Sequence, residues 1–475
     1  MSVELNERRQ LVLGGGGEDR VAKQHEAGKL TARERVNKLF DEGSFVETGV
    51  FTAAKEGASS VITGYGTVED RPVFVYAQDF TVKGGAMGEG AAKKIVELLK
   101  LAGKTGAPVV AMADSAGADL NEGAKALNAY ARIMKETAAL SGVVPQISLI
   151  LGPCAGGAAF VPELTDVVIA VEKIGQMFVT GPQVVSARTG RNVTAEDLGG
   201  AKKLVASGAA QIAVASEDEA FAMARRVLSF LPDNNQEDAQ LVSADDLNRQ
   251  LDIDTYYDAH DIVARIADFN DYVELTRDFA PNMVTALARL GGRSVGIVAN
   301  NPAAHDGVLC ASACKKAARF IRLCDCFNIP VVTLVNTPGQ NTVDEEKNAA
   351  ASVDTHAVEK ANRDSLFKYH IAKVEEDEFE DEATLTHEDF VIGVRPECVS
   401  ICENGALEGE IFSAMPTGME TTVKVRVGEF LFTGVVFGGI TYKIGQKVRV
   451  SFTGENVLLF SRENGKLITR GTLKI

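Results

Sequence analysis

Two adjacent glycines, Gly156 and Gly157, are the residues of this chain whose placement most directly suggests chemistry. They follow the apolar run ISLIL (147–151) and precede a helix-forming segment, so they lie where a buried strand passes into a helix. At such a junction backbone N–H groups point outward with the support of the helix dipole. Glycine also lets a substrate approach the backbone closely. In apolar surroundings these donors would stabilise an oxyanion, such as that of a thioester or an enolate.

A second glycine-rich stretch, KGGAMGEG at residues 83–90, precedes another helix. Gly84, Gly85 and Ala86 offer further N–H donors, and Lys83 places a cation near any phosphate of a ligand. The alternative interpretation is structural, because glycines at either loop could serve only a tight turn and close packing. The presence of both loops in one αβ unit favours a binding function.

Other kinds of site have less support. The pattern G-x-x-x-x-G-K-[ST] does not occur, which excludes an ATPase of the P-loop type. Ser115, in ADSAGADLNEG, lacks the G-x-S-x-G elbow of a serine hydrolase and has no histidine evidently placed beside it. The seven cysteines are scattered, apart from Cys324 and Cys326, and none of the six histidines lies near a cysteine pair. We therefore expect reduced, buried cysteines and no metal site.

The elements that position these loops are predicted by an internal repeat at an offset of 222 residues. Residues 93–117 align without a gap with residues 315–339, and RPVFVYAQD (71–79) aligns with RSVGIVANN (293–301). Each unit has the pattern strand, glycine-containing loop, helix, strand, loop. Its second strand is a continuous apolar run, as expected for a parallel strand that is covered on both faces.

The second unit is incomplete in sequence. At the same offset, CAGGAA (154–159) aligns with EDEFED (376–381), which has no glycine and no apolar run before it. We therefore expect an α/β protein with one full copy and a partial second copy that stops near residue 350. The chain should contain a single glycine loop of the Gly156 type.

Composition sets the limits on protein class. The chain has 475 residues, 45% hydrophobic and 24% charged, with a formal net charge of −16. These values are typical of a soluble globular protein and argue against a nucleic-acid partner, which needs a basic face. The N-terminus has no apolar core for a signal peptide, and no run reaches 18 apolar residues. We expect a cytoplasmic protein.

The amino-acid composition changes twice after the repeat. Residues 351–388 are rich in acids, as in HIAKVEEDEFEDEATLTHED, and we interpret them as a linker. From residue 389 onwards, strand-like runs such as VKVRV and FLFTGVVF alternate with turn sequences such as TGME and ENGK. The segment 389–475 is therefore predicted to form a small all-β barrel or sandwich.

Many ordered motifs across residues 10–350 resemble those of the carboxyltransferase subunits of biotin-dependent acyl-CoA carboxylases and decarboxylases, of the propionyl-CoA carboxylase β and methylmalonyl-CoA decarboxylase α types. The motifs are GGGGEDRVAKQHEAGKLTARERVNKLFDEGSFVETG, FTVKGGAMGEG, DSAGADLNEG, SGVVPQISLILGPCAGGAA, FVTGPQVV, VTAEDLGGA and KKAARFIRLCDCFNIPVVTLVNTPG. The resemblance implies a crotonase-like (ClpP/crotonase) ββα superhelix. Residues 1–235 would form its N-terminal carboxyltransferase domain and residues 236–350 a partial second one.

The resemblance also implies roles for individual residues. The backbone of Gly156 and Gly157 would hold the acyl-thioester enolate. The acyl-CoA would be bound by residues around the two loops, namely Lys83, Gly84, Gly85, Ala86 and Ala155. Biotin would arrive on a biotin carboxyl carrier protein, and a biotin carboxylase or a membrane decarboxylase subunit would complete a complex in which this chain forms a homo-oligomer.

The chain departs from the family pattern at several places. Asp119 stands in DSAGAD where arginine is usual, Lys203–Leu204 replace an expected histidine region, and Thr337–Gln340 replace VPGF. The missing end of the second copy removes the loop that would stabilise the biotin oxyanion, so we expect weak turnover. Residues 389–475 resemble instead the TOBE domain of sugar-importing ABC transporters.

Two further functions are compatible with the sequence. The chain could be a non-catalytic acyl-CoA-binding or assembly subunit, or a regulatory protein that binds a ligand through its TOBE-like domain. Neither the acyl chain nor the direction of reaction, carboxylation or decarboxylation, follows from the residues.

Overall fold

The computed structural model describes residues 2–52, 57–246, 248 and 257–339 of the first part of the chain. Of the last part it describes residues 390–393, 399–402, 405, 407–416, 420–428, 430–437, 442–461 and 467–474. The predicted acidic linker, residues 351–388, lies outside these ranges. The chain divides into two compact units, Met1–Ile371 and Ala372–Ile475, which are described separately below.

The first half of the larger unit alternates helices and strands. Its helices are α1 (Ser2–Leu13), α2 (Glu18–Glu26), α3 (Ala32–Leu39), α4 (Glu89–Thr105), α5 (Ala124–Leu140), α6 (Phe160–Glu163), α7 (Pro182–Thr189), α8 (Ala195–Gly199), α9 (Ala201–Ser207) and α10 (Glu217–Phe230). Its strands are β1 (Val46–Thr48), β2 (Val61–Val68), β3 (Arg71–Gln78), β4 (Val109–Ser115), β5 (Gln146–Ala155), β6 (Val167–Val171), β7 (Gln176–Phe178) and β8 (Ile212–Val214).

These strands form one mixed sheet in the order β1-β2-β3-β4-β5-β6-β8, with β7 paired to the end of β5. The strands from β3 onwards run parallel, whereas β1 and β2 are antiparallel. Every residue of β4 is buried, as predicted for a continuous apolar run covered on both faces. The sheet therefore has its strand ends, not its faces, available to a ligand.

Helices α4 and α5 pack side by side against the sheet. The buried stripe of α4 includes Ala92, Ile95, Leu99 and Ala102, which recur at helical spacing. The helix ends at Gly106, whose φ of +67° is the left-handed conformation that a helix terminus commonly requires. Among the residues that the structure describes, no helix is both long and apolar enough to span a membrane.

The described residues of the second half of this unit, up to Gly339, form two helices and four strands. The helices are α11 (Ala259–Ile266) and α12 (Ala311–Cys326), and the strands are β9 (Tyr272–Glu274), β10 (Met283–Leu290), β11 (Arg293–Asn300) and β12 (Val331–Leu334). The sheet order is β12-β11-β10-β9, and only β11 and β12 are parallel.

The predicted duplication is confirmed by the element bounds, which agree in full for two strands and a turn and at the first residue for α12 and β12. Adding 222 to the bounds of β2 and β3 gives the bounds of β10 and β11, and the 3-10 turn Lys83–Gly85 becomes the 3-10 turn His305–Gly307. The hairpin β2–β3 turns through Glu69 and Asp70, and the hairpin β10–β11 turns through Gly291 and Gly292. All four residues have positive φ, as type I′ turns require. Helix α12 and strand β12 follow at the same offset. The counterpart of β5 would begin at residue 368, outside the described residues.

The smaller unit is all-β in its described part, as predicted. Its strands are β13 (Phe390–Gly393), β14 (Val399–Ile401), β15 (Leu407–Pro416), β16 (Glu420–Val427), β17 (Phe430–Phe437), β18 (Lys447–Ser461) and β19 (Leu467–Lys474). All pairings are antiparallel, and the long strand β18 pairs with β13, β14, β15 and β19. A small core forms around Ile411, Val423, Val425 and Val450. Closure into a barrel stays a prediction.

We predict that residues 389–475 fold when expressed alone, because this unit has its own core. Circular dichroism should give a β-sheet spectrum and a cooperative thermal transition. Val425→Asp, which buries a charge in that core, should abolish the transition, whereas Lys424→Asp on the neighbouring, partly exposed position should leave it in place. An unfolded wild-type segment would contradict the independent domain.

Candidate active site

Three loops meet at one edge of the large sheet. The turn Lys83–Gly85 follows β3, residues 116–119 follow β4, and the turn Gly156–Ala159 follows β5. The N–H of Ala116 donates to the carbonyl oxygen of Gly84 at 2.9 Å. A side chain on Gly117 would begin 3.0 Å from the carbonyl oxygen of Ala155. The two glycine loops singled out in the sequence are therefore brought together, separated only by the loop after β4.

The loop after β3 is a tight turn with little room around it. Lys83, Gly84 and Gly85 all have positive φ, and a Cβ on Gly85 would lie 2.1 Å from the carbonyl oxygen of Asp114. The N–H groups of Gly85 and Ala86 donate to Val82 and Lys83 within the turn, at 3.0 and 3.3 Å. These two N–H groups stabilise the turn itself and are not free to bind a ligand. The alternative interpretation, that the glycines serve a tight turn, therefore applies to part of this loop.

Lys83 is paired with Asp119, the residue that departs from the family pattern. The Lys83 side chain is 66% exposed, and its Nζ lies 3.3 Å from Oδ2 of Asp119. Burial would raise the pKa of Asp119, but hydrogen bonds from Asn121 and Lys83 outweigh it and lower that pKa. The carboxylate is therefore charged and offsets the lysine, where an arginine would have added a second positive charge.

The loop after β5 presents its backbone at the surface. Gly156 has a φ of +63°, and Ala155, Gly156 and Gly157 are partly exposed between buried neighbours. A Cβ on Gly157 would lie 2.7 Å from the ring of Tyr130. The first N–H groups of a helical turn have no acceptor within that turn. This turn can therefore direct two N–H donors at one oxygen atom of a ligand.

A small apolar cavity lies behind the same turn. Its volume is about 20 Å³, and its walls include Met87, Ile95, Tyr130, Ala158 and Val161. This space is sufficient for about one water molecule or a group of similar size. An acyl chain bound beside Gly157 would meet closely packed side chains once it extended past this cavity.

Ser115 connects the loops and is not arranged as a nucleophile. Its side chain is fully buried, its Oγ donates to the carbonyl oxygen of Gly85 at 2.7 Å, and it accepts the N–H of Gly117 at 3.1 Å. No histidine is among its hydrogen-bond partners in the described part of the chain. The serine thus holds the first two loops in register.

A buried charge cluster, here called the Asp114 cluster, lies beneath the loops and was missed by sequence reasoning. Lys29 Nζ and Arg35 Nη1 contact the Asp114 carboxylate at 2.8 and 2.7 Å, and Gln24 Nε2 donates to it at 3.0 Å. Arg35 also pairs with Glu217 at 2.5 Å. All five side chains are buried, and two cations balance two carboxylates.

The Asp114 cluster explains two of the glycines. A Cβ on Gly152 would lie 1.9 Å from Oδ1 of Asp114, while the carbonyl oxygen of the same aspartate excludes a side chain at Gly85. Asp114 therefore packs directly against β5, the strand that leads into the turn with Gly156, and against the turn that carries Gly84. The signal for its partners was present in KLTARERV, residues 29–36, where basic residues occur on a short helix that the fold buries.

The carboxyl transferase domain family matches residues 23–349, more than two thirds of the chain. The chain belongs to the carboxyl transferase family. Methylmalonyl-CoA decarboxylase subunit alpha of Veillonella parvula is 47% identical over 356 residues, 70% of each chain. The methylmalonyl-CoA carboxyltransferase 12S subunit of Propionibacterium freudenreichii subsp. shermanii is 46% identical over 356 residues, 71% of this chain and 68% of the relative.

A solved structure extends the likeness to three dimensions. The transcarboxylase 12S crystal structure, a hexamer with methylmalonyl-coenzyme A and methylmalonic acid bound, superimposes with a TM-score of 0.70 at 43% identity. The superposition covers 76% of this carboxyl transferase and 75% of the 12S chain. The predicted α/β carboxyltransferase fold is confirmed, and the family match ends well before the all-β segment.

We predict that breaking the Asp114 cluster destabilises this carboxyl transferase strongly. Arg35→Met removes the cation shared by Asp114 and Glu217 and leaves buried negative charge, which should cost about 3–5 kcal/mol of unfolding free energy. Lys38→Met on the same helix is the control, because Lys38 pairs with Asp218 at the surface and its loss should cost about 1 kcal/mol or less. Urea denaturation measures the unfolding free energy of both variants. Equal losses of unfolding free energy in the two variants would contradict a special role for Arg35.

Proposed function

We propose that this carboxyl transferase moves a carboxyl group between biotin and a short acyl-CoA, with the thioester bound over the glycine loops of the first copy. The observation that carries the proposal is the position of Gly156 and Gly157, whose partly exposed turn shares one sheet edge with the loop after β3. Family membership supplies the reaction class. The chain is accordingly an enzyme of the biotin-dependent acyl-CoA carboxyltransferase type.

The chemistry assigned to the chain is stabilisation of negative charge. As the α-proton leaves, the thioester oxygen gains charge, and the N–H groups of Gly156 and Gly157 donate to it from a pre-formed turn. One such donor contributes on the order of 10²–10³ in rate. Biotin supplies the carboxyl group and the base when bound. This division of labour agrees with the engagement of Asp114 and Ser115 in structural contacts.

A short acyl group is favoured by two observations. The relatives named above act on methylmalonyl-CoA. The cavity behind Gly157 is only about 20 Å³, which suits a methyl branch or a similar group and not a long chain. We therefore propose propionyl-CoA and methylmalonyl-CoA as the substrate pair.

The proposed partners follow from the relatives. A biotin carboxyl carrier protein would present the biotin, and a biotin carboxylase or a membrane decarboxylase subunit would complete the complex. We propose a homo-oligomer, because the 12S relative assembles as a hexamer. Residues 389–475 are proposed as an added TOBE-like domain without nucleotide binding.

We predict that Gly157→Val weakens binding of propionyl-CoA at least 10-fold. The new side chain begins 2.7 Å from the Tyr130 ring and must displace either that ring or the turn that holds the thioester oxygen. Isothermal titration calorimetry with propionyl-CoA measures the effect.

The control for this variant is Gly14→Val. A Cβ on Gly14 meets nothing closer than 3.6 Å, and its φ is not positive, so affinity should stay within twofold of wild type. Thermal melting of both variants checks folding. If a folded Gly157→Val protein bound propionyl-CoA as tightly as wild type, the thioester would not lie at this turn.

We also predict weak transfer to free biotin. Residues 340–392 contain no glycine, so the second copy has no sequence equivalent of Gly156 and Gly157 for the biotin oxyanion. The loss of one oxyanion hole should lower turnover about 10²–10³-fold against the 12S relative. The assay follows carboxyl transfer from methylmalonyl-CoA to free biotin with both proteins side by side. Equal turnover would show that another part of the chain supplies these donors.

A further inference from the structure

A second cleft lies far from the glycine loops, between the first copy and helix α12. Its volume is about 580 Å³, within the range of small-molecule sites. Thr165 and Asp166 line it, and Asp166 is hydrogen-bonded to Gln146, the first residue of β5. Gly156 follows the last residue of the same ten-residue strand, which spans about 30 Å. This cleft is therefore separate from the candidate active site.

Helix α12 lines the cleft with four cations, Lys315, Lys316, Arg319 and Arg322. None of them forms an ion pair with a carboxylate among the residues that the structure describes. Lys316 is buried and donates to the carbonyl oxygen of Phe279 at 3.0 Å, and Arg319 reaches the carbonyl oxygen of Thr165 at 3.4 Å. In a chain of net charge −16, this concentration of positive charge requires an explanation.

The duplication provides an internal comparison. In the first copy the equivalent helix pairs Lys93 with Glu97 at 3.8 Å and Lys100 with Glu136 at 3.8 Å. At the offset of 222, Glu97 becomes Arg319, while Lys93 and Lys100 become Lys315 and Arg322. The second copy has therefore exchanged the carboxylate of the pair within the helix while it kept the cations. A helix whose surface served only packing would not need a cation in place of that carboxylate.

The cations are spaced along one side of the helix. Lys315, Arg319 and Arg322 are at positions i, i+4 and i+7, which places them within about 10 Å along the axis. Such a row matches two or more linked phosphate groups better than a single anion. Across the cleft stand the acids Glu163 and Asp166, and burial raises the pKa of Asp166 to about 6. Of the charged side chains that line the cleft, four are cations and two are acids, while Glu274 and Asp278 act on Lys316 from nearby.

The remaining walls of the cleft are apolar. Leu275, Phe320 and Leu323 are buried, and the Phe279 ring is partly exposed. An aromatic ring beside a row of cations suits a ligand that joins a flat ring to phosphate groups, since the ring packs on Phe279 while the phosphates meet α12.

We propose that this basic cleft is a second ligand site, which binds a nucleotide-sized molecule that carries a flat ring and at least two phosphate groups. The site is independent of the thioester site and of the proposed function, since it lies at the opposite end of β5.

The experiment is calorimetric titration of the full chain with ADP, adenosine and pyrophosphate, each with and without saturating propionyl-CoA. We expect ADP to bind more tightly than pyrophosphate and adenosine, with an affinity that falls as salt is added. Arg319→Glu, which restores the first-copy residue type, should weaken ADP at least 10-fold. The double variant Lys315→Ala/Arg322→Ala, at exposed positions, should do the same without disturbing the fold.

Lys93→Ala is the matched control, at the equivalent position of the first copy, and should leave ADP binding within twofold of wild type. Absence of ADP binding at about 1 mM would overturn the proposal. So would equal affinity for adenosine and ADP, unchanged affinity in both cleft variants, or displacement of ADP by propionyl-CoA, which would place the nucleotide at the thioester site.

Discussion

The carboxylate of Asp114 is the group on which the arrangement of the loops depends. It is fully buried at the end of β4, and it is tolerated there because Lys29, Arg35 and Gln24 satisfy it. Through these contacts it joins the N-terminal helices to the sheet, and through Glu217 it reaches α10. A buried charge that lost these partners would cost several kcal/mol, so the N-terminal segment cannot detach without disturbing the strand ends.

The same aspartate imposes the glycines that face it. Its carboxylate leaves no room for a side chain at Gly152, and its carbonyl oxygen leaves none at Gly85. The two loops proposed to bind a thioester are thus held at a fixed separation by a charge cluster that is buried beneath them. This arrangement is a physical means of pre-organising backbone N–H donors before a ligand arrives.

The two copies share backbone geometry and differ in charge. Gly307 repeats the close approach of Gly85, with an added Cβ 2.6 Å from the carbonyl oxygen of Asn336. Asn336 stands where the first copy has Asp114, so the turn is kept but the carboxylate at its base is not. On helix α12 a carboxylate is lost as well, because Arg319 stands where the first copy has Glu97, while the cations remain. The two copies have therefore kept the same backbone turns and differ in the charged side chains around them.

Much of this account could be predicted from sequence. The offset of 222 predicted where the repeated strands, the turn and α12 begin, because apolar periodicity and glycine positions are local signals. The basic residues of segment 29–36 are visible in the sequence, but their pairing with Asp114 could not be predicted, since Lys29 and Arg35 lie 85 and 79 positions away from it and only the folded chain brings them together. The use of the Gly85 and Ala86 N–H groups within their own turn was also hidden, because glycine content does not reveal which donors are already satisfied.

The central claim is that the thioester lies over the first copy, and a crystal structure with propionyl-CoA bound tests it most directly. We expect the thioester oxygen at hydrogen-bond distance, about 2.7–3.2 Å, from the backbone nitrogens of Gly156 and Gly157. A thioester seated instead at the turn His305–Gly307 of the second copy would contradict it.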